Sequence, residues 1–159
     1  MTHFAATTDV AADRSRAEIE RTLTRYGAEQ FMYGWDGPRA VVGFRMAGRM
    51  VRFVLPLPDR AAREFTHTVN RGQKRSDAQV FAAWEQACRQ RWRALALVIK
   101  AKLEAVESGI TSFEEEFLAH TLLPSGQTAG EWLLPQVAKA YERGSMPALL
   151  PALPAGSRG

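Results

Sequence analysis

The arginine and lysine side chains are the residues of this sequence with the clearest capacity for chemistry. Residues 39–102 hold 14 of the 21 basic residues and four of the 17 acidic residues, which gives this segment a formal charge of +10. Residues 1–38 carry −2 and residues 103–159 carry −4, so the net charge of +4 conceals a cationic middle between two mildly acidic ends. Clustered positive charge of this kind attracts polyanions, of which nucleic acid is the commonest.

Recognisable catalytic and metal-binding motifs are absent from the sequence. There is no GxGxxG, P-loop, HExxH, paired CxxC or GxSxG pattern. Cys88 falls among apolar residues of a predicted helix, where a cysteine behaves as a small hydrophobic side chain rather than as a nucleophile. We therefore predict that the chain is not an enzyme and binds neither a metal nor a cofactor.

Glutamates 114–116 and His120 are the residues that come nearest to a metal site. Glu116 and His120 are four residues apart, so a continuous helix would place them on one face. Two ligands are fewer than metal sites normally use, which favours a structural pairing on the surface. The acidic run is typical of a helix start, where negative charge complements the helix dipole. A metal-dependent nuclease is a third functional hypothesis that rests on these residues alone.

Length and composition predict one cytoplasmic domain. A chain of 159 residues with 46% apolar and 24% charged residues is ordinary for a globular protein. No apolar run approaches the roughly 18 residues that cross a bilayer, and the first residues lack the pattern of an export signal, so we expect no membrane partner. We predict a flexible N-terminus at residues 1–12 and a single α+β domain at residues 13–144. The domain contains a mobile basic loop at residues 57–76. A Pro-, Ala- and Leu-rich tail follows at residues 145–159.

The sequence of the N-terminal half of the domain predicts one helix and a three-stranded antiparallel sheet. The helix spans residues 13–26, with Asp13 as its N-cap and Gly27 as the glycine that ends it. A two-residue loop at Ala47-Gly48 joins the second and third strands. The predicted strands are residues 30–35, 40–46 and 49–55. The predicted register pairs Phe44 with Val51 and Val42 with Phe53 on an apolar face, and Arg45 with Met50 and Gly43 with Arg52 on the other.

A long central helix is predicted from the clearest periodicity in the chain. Ser76 or Asp77 caps it, and it reaches about residue 108, where Gly109 stops it. Apolar residues recur along it at spacings of three and four, which marks a buried face. These residues are Phe81, Trp84, Cys88, Trp92, Leu95, Ile99, Leu103 and Val106.

Short helices are predicted in the C-terminal third. Two capping boxes mark their starts, one at Ser112 and Glu115 and the other at Thr128 and Glu131. Pro135 is expected to kink or split the last helix, leaving residues 136–143 as a separate piece that ends at Gly144. The order of these elements defines an α+β fold.

The basic residues fall on three predicted elements, namely the hairpin, the loop and one ridge of the long helix. At about 100° per residue, the three bases of the ridge lie within about 40° of one another beside the apolar stripe. Arg91 and Lys102 fall on the opposite margin. We predict that the three groups converge on one nucleic-acid-binding surface. Its residues are Arg45, Arg49 and Arg52 on the hairpin, Arg60, Arg63, Arg71, Lys74 and Arg75 on the loop, and Arg89, Arg93 and Lys100 on the ridge.

Other interpretations of these residues stay open. The arginines are also consistent with a solvated face that pairs with Glu85, Glu104 or the acidic C-terminal helix. Tyr33 and Trp35 alternate as a buried sheet face would, which favours core packing over base stacking.

Several segments resemble a family of proteins of unknown function encoded by tailed bacteriophages and prophages. The resemblance spans most of the chain and implies a phage origin and a location in the bacterial cytoplasm, and it carries no activity with it. The segments are Arg25-Tyr26-Gly27-Ala28, Phe31-Met32-Tyr33-Gly34-Trp35, Arg89-Gln90-Arg91-Trp92-Arg93-Ala94-Leu95, Lys100-Ala101-Lys102-Leu103-Glu104-Ala105-Val106-Glu107 and Phe113-Glu114-Glu115-Glu116-Phe117.

The predicted order helix–strand–strand–strand–helix also resembles a double-stranded-RNA-binding domain in topology. The second helix of such domains usually begins with a Lys-Lys-x-Ala-Lys pattern, whereas this one begins Ser76-Asp77-Ala78-Gln79 with Lys74-Arg75 just before it. The helix here is also longer than that module needs, and a helical C-terminal third is added.

These observations lead to two main functional hypotheses. The first is a non-catalytic phage accessory protein that binds DNA or RNA through its basic surface, in replication, recombination or protection of phage DNA. The second is an interaction protein that docks on an acidic surface of a host enzyme or defence complex and inhibits it. The sequence leaves the type of nucleic acid and the oligomeric state open.

Overall fold

The computed structural model describes the backbone of residues 2–146 and the side chains from Ala12 onward, so most of the predicted tail lies outside the described residues. The order of elements confirms the predicted α+β class. The elements are α1 (Thr2–Arg25), β1 (Gln30–Asp36), β2 (Arg39–Met46), β3 (Arg49–Pro56), α2 (Arg63–Thr66), α3 (Asp77–Glu107), α4 (Phe113–Glu116), a 3₁₀ turn (Leu118–His120) and α5 (Ala129–Arg143).

The three strands form an antiparallel sheet in the order β1-β2-β3, and the predicted register of the second hairpin is confirmed. Phe44 pairs with Val51, and Gly43 pairs with Arg52. Ala47 and Gly48 both adopt positive φ, at 52° and 71°, as a two-residue turn that matches the twist of its strands requires. Alternation along the strands then gives one buried face and one outer face.

Helices α1 and α3 cover the buried face of the sheet and share one core with it. The Tyr33 and Trp92 rings, from β1 and α3, lie 5.5 Å apart. Trp92, Phe44 and Leu23 are completely buried, one each from α3, β2 and α1. The predicted stripe of α3 is confirmed as the side of the helix that enters this core.

The first helix begins earlier than predicted. It starts at Thr2, so the prediction that Asp13 caps it is wrong, and Asp13 instead forms an ion pair with Arg16 within the helix at 2.8 Å. Ala12 is completely buried in the shared core, so helical packing extends before residue 13. Gly27 ends the helix with a φ of +95°, as predicted.

The segment between β3 and α3 contains regular structure that was not predicted. The short helix α2 buries Phe65, and His67 and Lys74 form an isolated antiparallel β-bridge. The Trp84 indole N–H of α3 donates a hydrogen bond of 2.7 Å to the Pro58 carbonyl and ties the start of the segment to the helix. The mobility of residues 57–76 stays a prediction.

The ends of α3 are those predicted. Ser76 is the N-cap, and its hydroxyl accepts from the backbone N–H of Gln79, whose side chain accepts in return from the Ser76 N–H. This reciprocal pair is a capping box, with glutamine in the usual glutamate position. Gly109 follows the helix with a φ of +77°.

The two predicted capping boxes of the C-terminal third differ in outcome. Both hydrogen bonds between Ser112 and Glu115 are present, each at 3.2 Å, which confirms the first box. Thr128 accepts from the Glu131 N–H at 3.1 Å, which is half of the second box. The Glu131 carboxylate does not return this bond because it forms an ion pair with Arg52 at 3.0 Å.

Helix α5 continues through Pro135, so the prediction of a separate helix over residues 136–143 is wrong. A proline inside a helix removes one backbone donor. The Gln136 side chain donates to the Trp132 carbonyl at 3.3 Å and supplies a hydrogen bond in the turn around the proline. Gly144 ends the helix with a φ of +64°, as predicted.

The start of α5 lies in close contact with the 3₁₀ turn. A β-carbon at Gly130 would lie 2.8 Å from the Ala119 carbonyl oxygen, a distance that β-carbons do not adopt. The helix therefore approaches this turn as closely as it does because residue 130 is glycine.

Candidate nucleic-acid interface

A groove between α1 and α3 brings basic side chains of both helices together on the side of the helix layer that faces away from the sheet. Arg14 of α1 and Arg89 and Arg93 of α3 line a cavity of about 630 Å³ that is open to solvent. Ser15, Glu18, Gln86, Gln90 and Leu97 complete the lining.

The parallel course of the two helices positions these side chains. Arg14 lies beside the middle of α3, whereas Tyr26, just after α1, donates a hydrogen bond to Glu104 near the end of α3. Residue numbers therefore rise in the same direction along both helices. Because Ile19 and Trp92 are buried in the core between the layers, Arg14 and Arg93 are left on the outer flanks that border the groove.

The charges of the groove differ in how far they are neutralised. Arg89 forms an ion pair with Glu85 one turn earlier, at 2.7 Å. Arg14 and Arg93 form no hydrogen bond or ion pair with the residues that the structure describes. Their guanidinium groups are planar multiple donors suited to phosphate, and the Ser15, Gln86 and Gln90 side chains add neutral donors beside them.

The predicted ridge of α3 extends the cationic surface beyond the groove. Arg89, Arg93 and Lys100 are all exposed. From Arg89 to Lys100 the helix rises about 16 Å, at 1.5 Å per residue. Lys100 has no ion-pair partner in the described part of the chain. The ridge therefore offers separated cations along a line, as successive phosphates require.

The hairpin arginines are not brought to this ridge. Arg45 and Arg52 lie on the outer face of the sheet, because the residues that alternate with them face the helices. Arg52 forms the ion pair with Glu131, and Arg45 lies 3.7 Å from Glu29. The predicted convergence of the hairpin with the ridge therefore fails, since the period of two in β2 and β3 points these side chains the opposite way. Arg49, at the tip, is exposed.

The loop bases divide into an exposed group and a structural one. Arg63, Arg71 and Lys74 are exposed. The Arg63 guanidinium lies against Gly72, 3.7 Å from where a β-carbon would be, which places it beside Arg71. Arg63 and Arg71 thus lie near each other, and Lys74 is exposed on the same loop shortly before α3.

Two loop arginines have contacts within the fold. Arg75 is half-buried and donates to the Phe65 carbonyl at 3.3 Å. The Arg60 guanidinium lies 5.2 Å from the centre of the Phe81 ring, a cation–π contact. The Arg60 contact therefore joins the loop to α3, and the Arg75 bond joins the end of the loop to α2.

The bases on the other margin of α3 also have structural roles. Arg91 donates to the Pro56 carbonyl at 3.3 Å, and Lys102 forms an ion pair with Glu116 at 3.0 Å. These contacts join α3 to the end of β3 and to α4. They agree with the prediction that both residues lie away from the ridge.

The residues that the sequence singled out for metal binding have other contacts in the fold. Glu116 and His120 do not share a helix, because α4 ends at Glu116 and a 3₁₀ turn follows, so the condition for their sharing a helical face is not met. His120 stacks on Phe53, with ring centres 4.1 Å apart. Burial, and then the positive charge of Lys102, lower the pKa of His120. Within the described residues, no three His, Cys, Asp or Glu side chains gather as a metal site would require.

Cys88 is completely buried on the core side of α3. Burial, followed by the nearby charge of Glu85, raises the pKa of its thiol to about 11. The thiolate that a nucleophile requires is therefore disfavoured.

The β1 aromatics pack with the core. Tyr33 contacts Trp92 and meets Trp35 edge-to-face at 5.5 Å, and both are half-buried. The Arg16 guanidinium lies 4.8 Å from the Tyr33 ring centre. Core packing is the role that these contacts favour.

Arg14 is the groove residue that sequence reasoning missed. It lies outside the basic segment, in a stretch whose net charge is slightly negative. The signal that could have found it is its position on the polar side of an amphipathic helix, opposite the buried Ile19 and Leu23. Its proximity to Arg93 also required the offset between α1 and α3, which is a property of the tertiary structure.

No protein-family model, no curated protein and no solved structure matches this chain. None of the helices in the described part of the chain is long and apolar enough to cross a membrane.

Proposed function

We propose that this protein binds nucleic acid in the groove between α1 and α3 and does so without catalysis. The observation that carries the proposal is the meeting of Arg14, Arg89 and Arg93, from two helices, in one solvent-open groove. Two of the three cations have no competing carboxylate partner among the described residues. Glutamine and serine side chains beside them supply neutral donors for phosphate and sugar oxygens.

The resemblance to proteins of tailed bacteriophages supports a biological setting for this activity. An accessory protein of phage DNA replication, recombination or protection binds many sequences, and contacts to phosphate alone serve that purpose. The groove matches this requirement because its cations are spaced along two helices. The binding that we propose is therefore independent of base sequence and strongly dependent on salt.

The test measures binding of the wild-type chain to single- and double-stranded DNA and RNA across a salt series, by fluorescence anisotropy. Each phosphate that the protein neutralises contributes about 0.9 to the negative slope of log K against log salt for duplex DNA, and about 0.7 for single strands. We expect a clear slope and similar affinities for unrelated sequences. Absence of binding at low salt by folded protein would overturn the proposal.

A triple variant locates the interface. Arg14→Gln, Arg89→Gln and Arg93→Gln together are expected to reduce the slope on duplex DNA by about 2 to 3. The matched control removes the same charge from the sheet through Arg39→Gln, Arg45→Gln and Arg49→Gln, and its slope is expected to stay near that of the wild type. Equal losses in both variants would show that net charge, and not the groove, determines binding.

The exposed apolar side of α5 favours a second candidate function, docking on a host protein. Leu134, Val137 and Tyr141 lie on one side of the helix and are 66, 47 and 87% exposed. An exposed apolar stripe of this kind commonly marks a protein-interaction site. In this hypothesis the stripe and the cationic surface together engage an acidic host enzyme or defence complex and inhibit it.

Capture from nuclease-treated host lysate separates the two candidate functions. The docking hypothesis predicts that a captured protein survives nuclease and is lost from the Leu134→Ser, Val137→Ser and Tyr141→Ser variant. It also predicts that the same variant binds DNA normally. A captured protein that disappears after nuclease treatment would instead reflect bridging by nucleic acid and would contradict docking.

A further inference from the structure

The chain between α2 and α3 forms a short β-hairpin. The isolated bridge between His67 and Lys74 joins its two sides. The Thr68 N–H donates to the Gln73 carbonyl at 2.8 Å, and the Thr68 hydroxyl accepts from the Gln73 N–H at 3.0 Å. Residues 69–72 are therefore the tip of this hairpin, and the hydrogen bonds beneath them define its shape.

Gly72 closes the tip of the hairpin. It has a φ of +60°, and its N–H donates to the Thr68 carbonyl at 3.0 Å. The guanidinium of Arg63, from α2, lies 3.7 Å from where a β-carbon of Gly72 would be, so this cation lies against the turn. The base of the hairpin is attached to the core through Phe65, which is buried. The fold thus presents the tip and places a further cation beside it.

Positive charge accompanies an exposed apolar residue at this tip. Val69 is 90% exposed, a larger fraction than for any other large apolar side chain that the structure describes. Arg63, Arg71 and Lys74 are exposed and form no ion pair with the described residues. Residues 65–76 include no acidic residue. The tip therefore offers one apolar contact together with positive charge that no carboxylate neutralises.

This combination of shape and charge fits the minor groove of B-form DNA. That groove is about 6 Å wide and lies between two rows of phosphates, so it is too narrow for a helix. The two sides of a hairpin are about 5 Å apart, which matches its width. Proteins that enter the minor groove commonly insert arginine and apolar side chains. Val69 and Arg71 supply these two types at the tip, while Arg63 and Lys74 supply cations for the phosphates.

We propose that the hairpin tip is a second DNA contact, which inserts Val69 and Arg71 into the minor groove of a duplex. This inference rests on the proposed function and specifies its ligand as double-stranded DNA. The minor groove of double-stranded RNA is wide and shallow and does not enclose a tip of this size. The minor groove of DNA presents the same acceptors for A·T and T·A pairs, so the contact is compatible with binding to unrelated sequences.

Helix α3 connects the hairpin to the α1–α3 groove. The hairpin ends directly before Ser76, the N-cap of the helix, and Gln86 is the first residue of α3 that lines the groove. From Asp77 to Gln86 the helix rises about 14 Å. This distance corresponds to about four base pairs of duplex, at roughly 3.4 Å per pair. A short DNA duplex therefore has the length to span both contacts.

The first test compares tip variants for binding to a DNA duplex and to a single strand, by fluorescence anisotropy. Val69→Ser removes the apolar contact without changing the charge. It is expected to weaken duplex binding by roughly threefold to tenfold, with an unchanged salt slope and unchanged single-strand binding. Arg71→Gln is expected to weaken duplex binding and to reduce its salt slope by about 1. The matched controls make the same exchanges on the sheet, as Val54→Ser and Arg49→Gln, and are expected to bind like the wild type.

The outcomes separate this contact from the proposed function. A folded wild type that binds no nucleic acid would overturn both. A wild type that binds duplex DNA, with Val69→Ser and Arg71→Gln variants that bind it equally well, would overturn the hairpin contact and leave the groove. Losses in the sheet controls as large as those in the tip variants would also overturn it. Circular dichroism checks that each variant is folded, as expected for exposed positions.

Competitors that occupy one groove of the duplex test where the tip binds. Netropsin occupies the minor groove of A·T-rich DNA and methyl green occupies the major groove, and both are cations. On an A·T-rich duplex, saturating netropsin is expected to abolish the difference in affinity between the wild type and Val69→Ser. Methyl green is expected to preserve it. A difference that persists in netropsin, or one that both compounds abolish equally, would contradict insertion into the minor groove.

Discussion

The outer face of the sheet and the α1–α3 groove carry the same type of charge in different surroundings. On the sheet, Arg52 pairs with Glu131 and Arg45 lies near Glu29, so each cation has an anion beside it. In the groove, Arg14 and Arg93 have no such partner within the described residues. The difference shows that the charge available to a ligand depends on tertiary pairing more than on the number of basic residues in a segment.

The pairs on the sheet also serve a different purpose from the open charges. The Arg52–Glu131 contact joins β3 to the first turn of α5, and it replaces half of the capping box that the sequence predicted. Arg93 forms no hydrogen bond or ion pair that joins two elements of the described structure. We therefore expect substitutions on the sheet to change stability and substitutions in the groove to change binding.

The largest expected effect comes from Trp92, which lies beneath the groove and contacts Tyr33 of the sheet. Trp92→Ala is expected to lower the free energy of unfolding by about 3–5 kcal/mol and to abolish binding with it, because both layers share this side chain. Urea denaturation followed by circular dichroism measures the loss.

Trp92→Phe is the matched control. The Trp92 indole N–H is buried and has no hydrogen-bond partner among the described residues, so phenylalanine removes an unsatisfied donor. The loss is expected to be clearly smaller than that of Trp92→Ala, because phenylalanine keeps an aromatic ring and leaves a smaller cavity. A loss for Trp92→Phe as large as that for Trp92→Ala would show that stability depends on the indole itself and that another aromatic ring does not replace it.

An intermediate effect is expected from exchanging one arginine in each region for methionine. Arg52→Met is expected to lower the free energy of unfolding by up to about 1 kcal/mol, a loss that high salt reduces because the pair is partly exposed. Arg93→Met is expected to change it by less than about 0.5 kcal/mol. Denaturation and DNA-binding measurements on both variants give four values. The proposed difference between the sheet and the groove is contradicted if Arg52→Met weakens DNA binding more than Arg93→Met does.

The smallest expected effect is a pH dependence of the free energy of unfolding, which comes from His120 on the sheet side of the molecule. His120 stacks on Phe53, and burial together with Lys102 holds its pKa below the ordinary 6.5. The unfolded chain therefore takes up this proton first as pH falls. The free energy of unfolding is expected to decrease from about pH 6.5 downward and to lose this dependence below the folded pKa of His120.

His120→Phe keeps a ring against Phe53 without a titratable group and is expected to remove the dependence. Glu115 is acid-sensitive as well, because hydrogen bonds to the Ser112 backbone and side chain hold its pKa below the ordinary 4.5, and its effect falls at lower pH. Thermal denaturation between pH 7 and 5 measures the effect. The groove residues include no histidine, and a DNA affinity that changed in parallel with stability would contradict the separation of the two regions.

Local rules in the sequence were sufficient to predict the hairpin and the long helix. The register followed from alternation on both sides of Ala47-Gly48, where a two-residue loop leaves one consistent pairing. The span of α3 followed from its apolar period and from Ser76 and Gly109 at its ends.

The remaining features depend on contacts that local patterns do not encode. Helix α1 extends to Thr2 although the residues before Asp13 show no clear apolar period. Helix α5 passes through Pro135 although proline favours a break. The groove arises from the offset between α1 and α3, and the sequence-based assignment therefore found Arg89 and Arg93 without Arg14.

Gly130 gives the contact between α5 and the 3₁₀ turn an evolutionary consequence. Any larger residue there would push against the Ala119 carbonyl, so a lineage that replaces this glycine must also shift the turn or the helix. Shifting the helix would separate Glu131 from Arg52 and release a cation on the sheet. Glycine at position 130 is therefore expected in diverged sequences that keep both this close contact and the pairing of Arg52 with Glu131.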